Sequence, residues 1–386
     1  MKNYPNDKDL SDNIQKNQAE GFFQKIYRYC INLIQRNPKS NDRETNKKLN
    51  ESFNHYAKYY QNAINYNVKD PSNSKIGLIN LLNDCYIVTF LQILFHTPNF
   101  MDILKKFSIP KGETIINYLI AVSEYPFNVE YFYKLKQLLG QINPEYSKPW
   151  SNDSQEFGID LINYLISETK GQIYEDISEL NLNKELDFVT IKKIVYEDYI
   201  DTYQKNTNEL EKLFLFNQID IYCGNNFQNP KISSNLHMEL TLQKYQNYIE
   251  LEKLIEDKYK SIDNKLNQNQ FVINSKIVSL PEILIISINR VLNNEYINNS
   301  KLLFKDTLDL KDHIDYDLFQ DNNKKTTYHL YAVNECIHTY RSSHYICYIK
   351  LENKWFIFDD DRKVEEFYGS FKNSPFIVGL FYKRDC

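Results

Sequence analysis

Residues 77–95 read GLINLLNDCYIVTFLQILF, and the fold turns on how this stretch is taken. From Tyr86 to Phe95 it offers little polar surface, and Pro98 follows shortly after. It therefore predicts a buried helix that stops before the proline. Cys85 opens that helix. A helix N-terminus presents unpaired N–H groups and the positive end of the backbone dipole, and both favour a thiolate. A helix enclosed by a core also fixes its first residue, which catalysis requires. Free cysteine is equally common as a small buried hydrophobe, so the segment gains chemical meaning only with a base elsewhere in the chain.

Upstream, DPSNS at residues 70–74 is a break, and the main domain is predicted from residue 75 to 386. Residues 1–74 are predicted to be a helical extension and linker. Phe22, Ile26, Cys30, Leu33 and Ile34 fall at helical spacing, a second helix is expected from Phe53 to Ile64, and NPKSNDRETNKKLNES between them has almost nothing to bury. Downstream, apolar spacing is helical to about residue 170. From residue 271 short β-branched and aromatic runs alternate with turns: FVINSKIVSL, PEILIISINRV, YHLYAVNECI, HYICYIK, WFIFDD and FIVGLFY. Helices first and strands later indicate an α+β class. The charged, Asn-rich middle, about 170–270, gives no clear pattern.

Composition narrows the function. The 386 residues carry a formal net charge of −5, which argues against a nucleic-acid binder and fits a protein partner with a basic surface. Six cysteines lie far apart without paired spacing, and the start MKNYPNDKDLSDN has no apolar stretch. These features predict free thiols in a reducing interior, cytoplasmic or nuclear. The longest apolar run, within LPEILIISINRV at 280–291, is too short to span a bilayer and reads as a central strand. No membrane segment is expected.

A thiol nucleophile needs a base and a third group that orients the base. SHYICYIKLENKWFIFDD, residues 343–360, supplies candidates for both. If the turn lies at LENK and Lys350 faces Trp355, alternation places His344, Asp359 and Asp361 on one face and Asp360 on the other. His344 and Asp359 would then be diagonal neighbours about 7–8 Å apart at Cβ. A bulge in the hairpin would exchange Asp360 for Asp359. For a tetrahedral oxyanion, Asn80 or Asn83 could supply a side-chain amide.

Taken in order, these segments resemble the ubiquitin-specific protease family of deubiquitinating cysteine proteases. GLINLLNDCYIVTFLQ is similar to the family's cysteine box, G-L-x-N-L-G-N-T-C-Y-x-N-S-x-L-Q. NDSQEFGIDLINYL at 152–165 resembles the box Q-x-D-A-Q-E-F, and LPEILIISINRV resembles L-P-x-x-L-x-x-x-L-x-R-F with FKDTLDL following. YHLYAVNECIHTYRSSHYICYIKLENKWFIFDD is similar to the histidine box, and FIVGLFYKR to the closing strand. The resemblance implies a papain-like fold with a helical thumb (about 75–170) and β fingers and palm (about 171–386). It implies Cys85 as nucleophile, His344 as general base, Asp359 as its orienting acid and Asn80 as oxyanion donor. Asp153, Glu156 and Tyr345 would bind the C-terminal tail of ubiquitin, and ubiquitin and ubiquitinated proteins are the implied partners.

Four departures stand out: Leu82 for a glycine, Asp84 for the threonine directly before the cysteine, Val88 for an asparagine and Ser343 for a glycine. Asp84 either opposes a neighbouring thiolate or turns to solvent. Many members hold a structural zinc with two CxxC pairs in the fingers. Here the middle of the chain has only Cys223, so neither zinc nor any other cofactor is expected. Two other readings remain open at this point: a catalytically silent ubiquitin-binding adaptor, and a protease for another ubiquitin-like modifier.

Overall fold

The computed structural model describes residues 76–81, 83–170, 188–203, 207–224, 227–260, 265–267, 270–292, 296–319, 325–338, 343–371 and 374–385. The two helices expected in the N-terminal extension, and Leu82, lie outside the described residues.

The stretch at 77–95 forms helix α1, Cys85–Phe95, buried from Cys85 through Leu94 and ended before Pro98. Its helical companions are α2 (Phe100–Lys106), α3 (Ile115–Glu124), α4 (Val129–Leu139) and α5 (Ser154–Lys170). Local signals set their starts. Thr114 and Asn128 cap α3 and α4 by accepting from the backbone of Asn117 and Tyr131. Asp153 caps α5 by accepting from the N–H groups of Gln155 (2.7 Å) and Glu156 (2.9 Å). Apolar residues at helical spacing, such as Phe157, Leu161 and Leu165, then turn one face of α5 onto α1. Gly158 sits at that crossing. A Cβ there would fall 2.0 Å from the Phe90 ring, so only glycine lets the two helices approach this closely.

After α6 (Phe188–Tyr203) and α7 (Glu209–Phe214) come the strands β1 (Phe216–Gly224), β2 (Phe227–Asn235) and β3 (Met238–Thr241), then helix α8 (Leu251–Tyr259). The remaining strands discussed are β4 (Gln270–Ser279), β5 (Ile283–Asn289), β6 (Thr307–Asp309), β7 (Thr327–His338), β8 (Ser343–Leu351), β9 (Lys354–Phe358), β10 (Glu365–Glu366) and β11 (Ile377–Arg384). The large sheet runs β10-β9-β8-β7-β11-β5-β3, with β6 also paired to β7. Only its β3–β5 edge is parallel among these pairs. A separate four-stranded sheet joins β2, β1, β4 and residues 265–267.

Alternation along the strands divides the core. Ile283, Ile285, Cys347, Ile349 and Phe381 face the helices, while Leu284, Ile286, Ile346, Tyr348 and Leu380 fill a second cluster on the opposite face. Phe90 of α1 meets Phe381 of β11 and Phe157 of α5 edge-on, with ring centroids 5.6 and 6.4 Å apart. Truncating such a buried ring costs about 3–5 kcal/mol. One apolar core thus joins the cysteine helix to the sheet that carries the histidine. The fold is α+β, with the helices preceding the sheets as the apolar spacing predicts.

Candidate active site

Cys85 is the first residue of α1 and is 3% exposed. Three neighbours fix the backbone around it. The Asp84 carbonyl accepts from Ile87 and Val88, both at 2.9 Å. Ser154 donates to the Tyr86 carbonyl at 3.0 Å, and Asn334 of β7 donates to Ser154 Oγ at 3.1 Å. Asn80 accepts from the Asp84 N–H through Oδ1 (2.9 Å) and donates through Nδ2 to Asp360 Oδ2 (2.9 Å). A backbone donor on one side and a carboxylate on the other fix which way its amide points. Asn83 instead has φ 53°, is exposed, and donates to the Pro149 carbonyl. Of the two asparagines, Asn80 is the one beside the thiol segment.

The hairpin has the register read from the sequence, with Lys350 opposite Trp355. Its ladder closes at Cys347 opposite Phe358, and Asp359 follows directly. His344 Nε2 lies 2.7 Å from Asp359 Oδ1, while Arg362 ion-pairs with the other Asp359 oxygen. Cys85 also acts on the titration of the His344 ring, and with Nε2 taken by Asp359 the nitrogen left for the thiol is Nδ1. The Asp359 bond, and after it the interaction with Cys85, raise the His344 pKa from 6.5 to about 10 against the opposing effect of burial.

Asp360 corrects the alternation argument, which turns it to the far face. Strand geometry ends at Phe358, and Asp360 adopts φ 52° in the turn that follows. Its side chain therefore reaches Asn80 across the site. Burial raises its pKa from 3.8 to about 6, and the Asn80 bond opposes that rise. Asp84 likewise departs from both expectations. It neither faces solvent nor stands alone, being fully buried and ion-paired with Lys136 of α4.

Asp153, Glu156 and Tyr345 line one cavity of about 520 Å³, together with Asp160, Glu239 and His338. Acids dominate its charged lining. Arg290 also reaches it, its Nε donating to the carbonyl of Ile377 (2.7 Å) and its Nη1 to those of Asn298 (2.9 Å) and Ser300 (2.8 Å), while the buried Nη2 makes no hydrogen bond among the described residues. Burial lowers the Arg290 pKa to about 10. Cys336 lines the same cavity and is electrostatically coupled to Cys85, so the cavity adjoins the thiol. Among the described residues, His344, Asp359 and Asp360 are the cluster whose atoms could hold a metal, lying within 4.8 Å of one another. Each of the three already hydrogen-bonds a protein group.

Residues 76–377 match the family described as "Ubiquitin carboxyl-terminal hydrolase". The chain belongs to the ubiquitin carboxyl-terminal hydrolase family. It is 24% identical over 323 residues to Ubiquitin carboxyl-terminal hydrolase 48 of Danio rerio, covering 77% of this chain and 28% of that relative. This ubiquitin carboxyl-terminal hydrolase domain thus spans under a third of that relative's length. Its fold is similar to the SAGA Ubp8/Sgf11/Sus1/Sgf73 DUB module bound to ubiquitin aldehyde, with TM-score 0.61 and 17% identity over 90% of this chain and 76% of that one. A second structure of the same module, bound to monoubiquitin, gives TM-score 0.58 and 16% identity over 90% and 76%. Among the described residues no single helix is long and apolar enough to cross a membrane.

Within this member of the ubiquitin carboxyl-terminal hydrolase family, sequence reasoning missed Lys136, Arg362 and the role of Asp360. A signal for Lys136 was present. It stands among Phe132, Leu135 and Leu139 on the apolar face of α4, a place where lysine needs an acid, and Asp84 is the unmatched acid of the cysteine box. Arg362 and Asp360 lie in a turn with no periodicity to read.

Proposed function

We propose that this chain is a thiol-dependent deubiquitinase that hydrolyses the bond after the C-terminal glycine of ubiquitin. The observation that carries the reading is the line Cys85–His344–Asp359: a thiol at a helix N-terminus, electrostatically coupled to an imidazole whose Nε2 is 2.7 Å from a carboxylate. Asp359 holds the ring so that Nδ1 takes the Cys85 proton. The thiolate then attacks the glycine carbonyl carbon, and the developing oxyanion is met by Asn80 Nδ2 and the backbone N–H of Cys85 itself. His344 returns the proton to the leaving amine, a thioester remains on Cys85, and water activated by His344 hydrolyses it.

The acidic cavity supports ubiquitin as the acyl donor, because Asp153 and Glu156 would pair with the basic residues of its tail. Ubiquitin aldehyde and monoubiquitin bound to the similar structures support the same ligand. Action inside the cell, on ubiquitinated proteins, follows from that substrate. The buried acid before Cys85 favours a second reading, a ubiquitin-binding adaptor without catalysis.

Covalent labelling by a ubiquitin probe with a thiol-reactive C-terminus decides between them. Labelling of wild type that is lost in Cys85→Ala and weakened in His344→Ala is the expected result. Ubiquitin binding without labelling would establish the adaptor instead.

A further inference from the structure

Asp84 and Lys136 are an unusual pair to find beside a thiol. The carboxylate is fully buried at the residue before Cys85, and the lysine, 5% exposed, rises from the apolar face of α4 to meet it. The Asp84 side chain makes no cap hydrogen bond to α1, but its charge sits at the same end of the helix dipole that would favour a thiolate. A buried ion pair also gains little over two apolar residues of the same volume, whereas breaking one leaves an uncompensated charge. Stability alone therefore does not account for the pair. The charge of Asp84 reaches its surroundings: after burial, it is the next cause pushing the Tyr86 phenol up. The same residue carries the backbone of the site, since its N–H bonds Asn80 and its carbonyl takes the first-turn donors of α1.

We propose that Lys136 is a positioning residue of the thiol site. By pairing with Asp84 it cancels a negative charge that would oppose the Cys85 thiolate, and it anchors the residue that orients Asn80. The site thereby works with an acid directly before its nucleophile. The inference rests on the reading of Cys85 as nucleophile. Other titratable groups facing Cys85 are His344 and Cys336 from the sheet and Tyr86 on α1. Asp359 and Asp360 act through His344, and Asp153 acts through Cys336. None of these changes in the variants below.

The test is the pH dependence of Cys85 alkylation by iodoacetamide, followed by peptide mass spectrometry on the full chain with melting temperature as control. Lys136→Met is expected to raise the midpoint by about one pH unit and slow alkylation at pH 7 about tenfold. Lys136→Arg keeps the wild-type profile, and Asp84→Thr combined with Lys136→Met restores it. Asp84→Asn, which leaves the lysine uncompensated, moves the midpoint down. Opposite shifts in the two single variants support the proposal, since mere loss of packing would move both the same way. If Lys136→Met does not fold, the Asp84→Asn midpoint decides alone. Unmoved midpoints, shifts of one sign, or no recovery in the double variant would overturn it. Alkylation needs no ubiquitin, so shifts of the expected signs in a chain that the ubiquitin probe fails to label would uphold this inference and overturn the deubiquitinase reading instead.

Discussion

Gly77 packs so tightly on the turn after the hairpin that a Cβ at this position would lie 2.3 Å from the carbonyl oxygen of Asp360 and 2.9 Å from that of Arg362. The cysteine segment and the acid turn are thus fitted to each other through backbone, with no room for a side chain. Gly77→Ala must push that turn away, and with it the Asp360 carboxylate that holds Asn80. Overpacking of this kind costs about 1–3 kcal/mol, and a displacement near 1 Å in a catalytic group costs about a hundredfold in rate. Melting temperature and hydrolysis of a fluorogenic ubiquitin C-terminal amide are both expected to fall. Unchanged values in both would show that the turn yields freely.

Asp359→Asn removes the largest cause of the raised His344 pKa. A pKa near 10 keeps the His344 ring protonated across the neutral range, so the basic limb of kcat/KM is expected only near that pH. In Asp359→Asn the limb moves down toward the ordinary range, and the rate at neutral pH falls by about 10²-fold. The stability term has a definite sign as well. His344 binds its proton more tightly folded than unfolded, so its contribution is complete below pH 6.5 and is lost as pH rises through about 10. The gap in melting temperature between wild type and variant is expected to narrow over that window.

In the proposed mechanism Asn80→Ala removes a donor that serves the transition state more than the bound substrate. A loss of about 10²–10³ in kcat with little change in KM is expected from steady-state kinetics. Loss confined to KM would assign Asn80 to binding.

Asp153 has two duties, capping α5 and lining the acidic cavity, and two substitutions separate them. Asn retains the cap while removing the charge, whereas Ala removes both and costs about 1 kcal/mol. Asp153→Asn and Glu156→Gln are expected to raise KM for ubiquitin substrates at unchanged melting temperature. Asp153→Ala is expected to lower the melting temperature too. Salt titration checks the electrostatic origin, because the KM difference shrinks as ionic strength rises.

Legibility followed the reach of the signal. The helix at Cys85 was readable because an apolar run ended by a proline is a local pattern, and the hairpin register followed from one turn and period-two alternation. The middle of the chain was not readable: α8, LEKLIEDKY, is short and half charged, and its helical identity is set by packing under the sheet. Asp360 escaped because alternation has no meaning once the chain takes a positive φ. Lys136 escaped because its partner is 52 residues away: an apolar helix face shows that the lysine needs an acid, but not which one.

The placement of Phe90 has a further consequence. Because this one ring is wedged between α5 and the closing strand β11, the halves that carry thiol and imidazole cannot part without breaking its packing. The proposed activity is therefore expected to vanish at the temperature at which the chain melts.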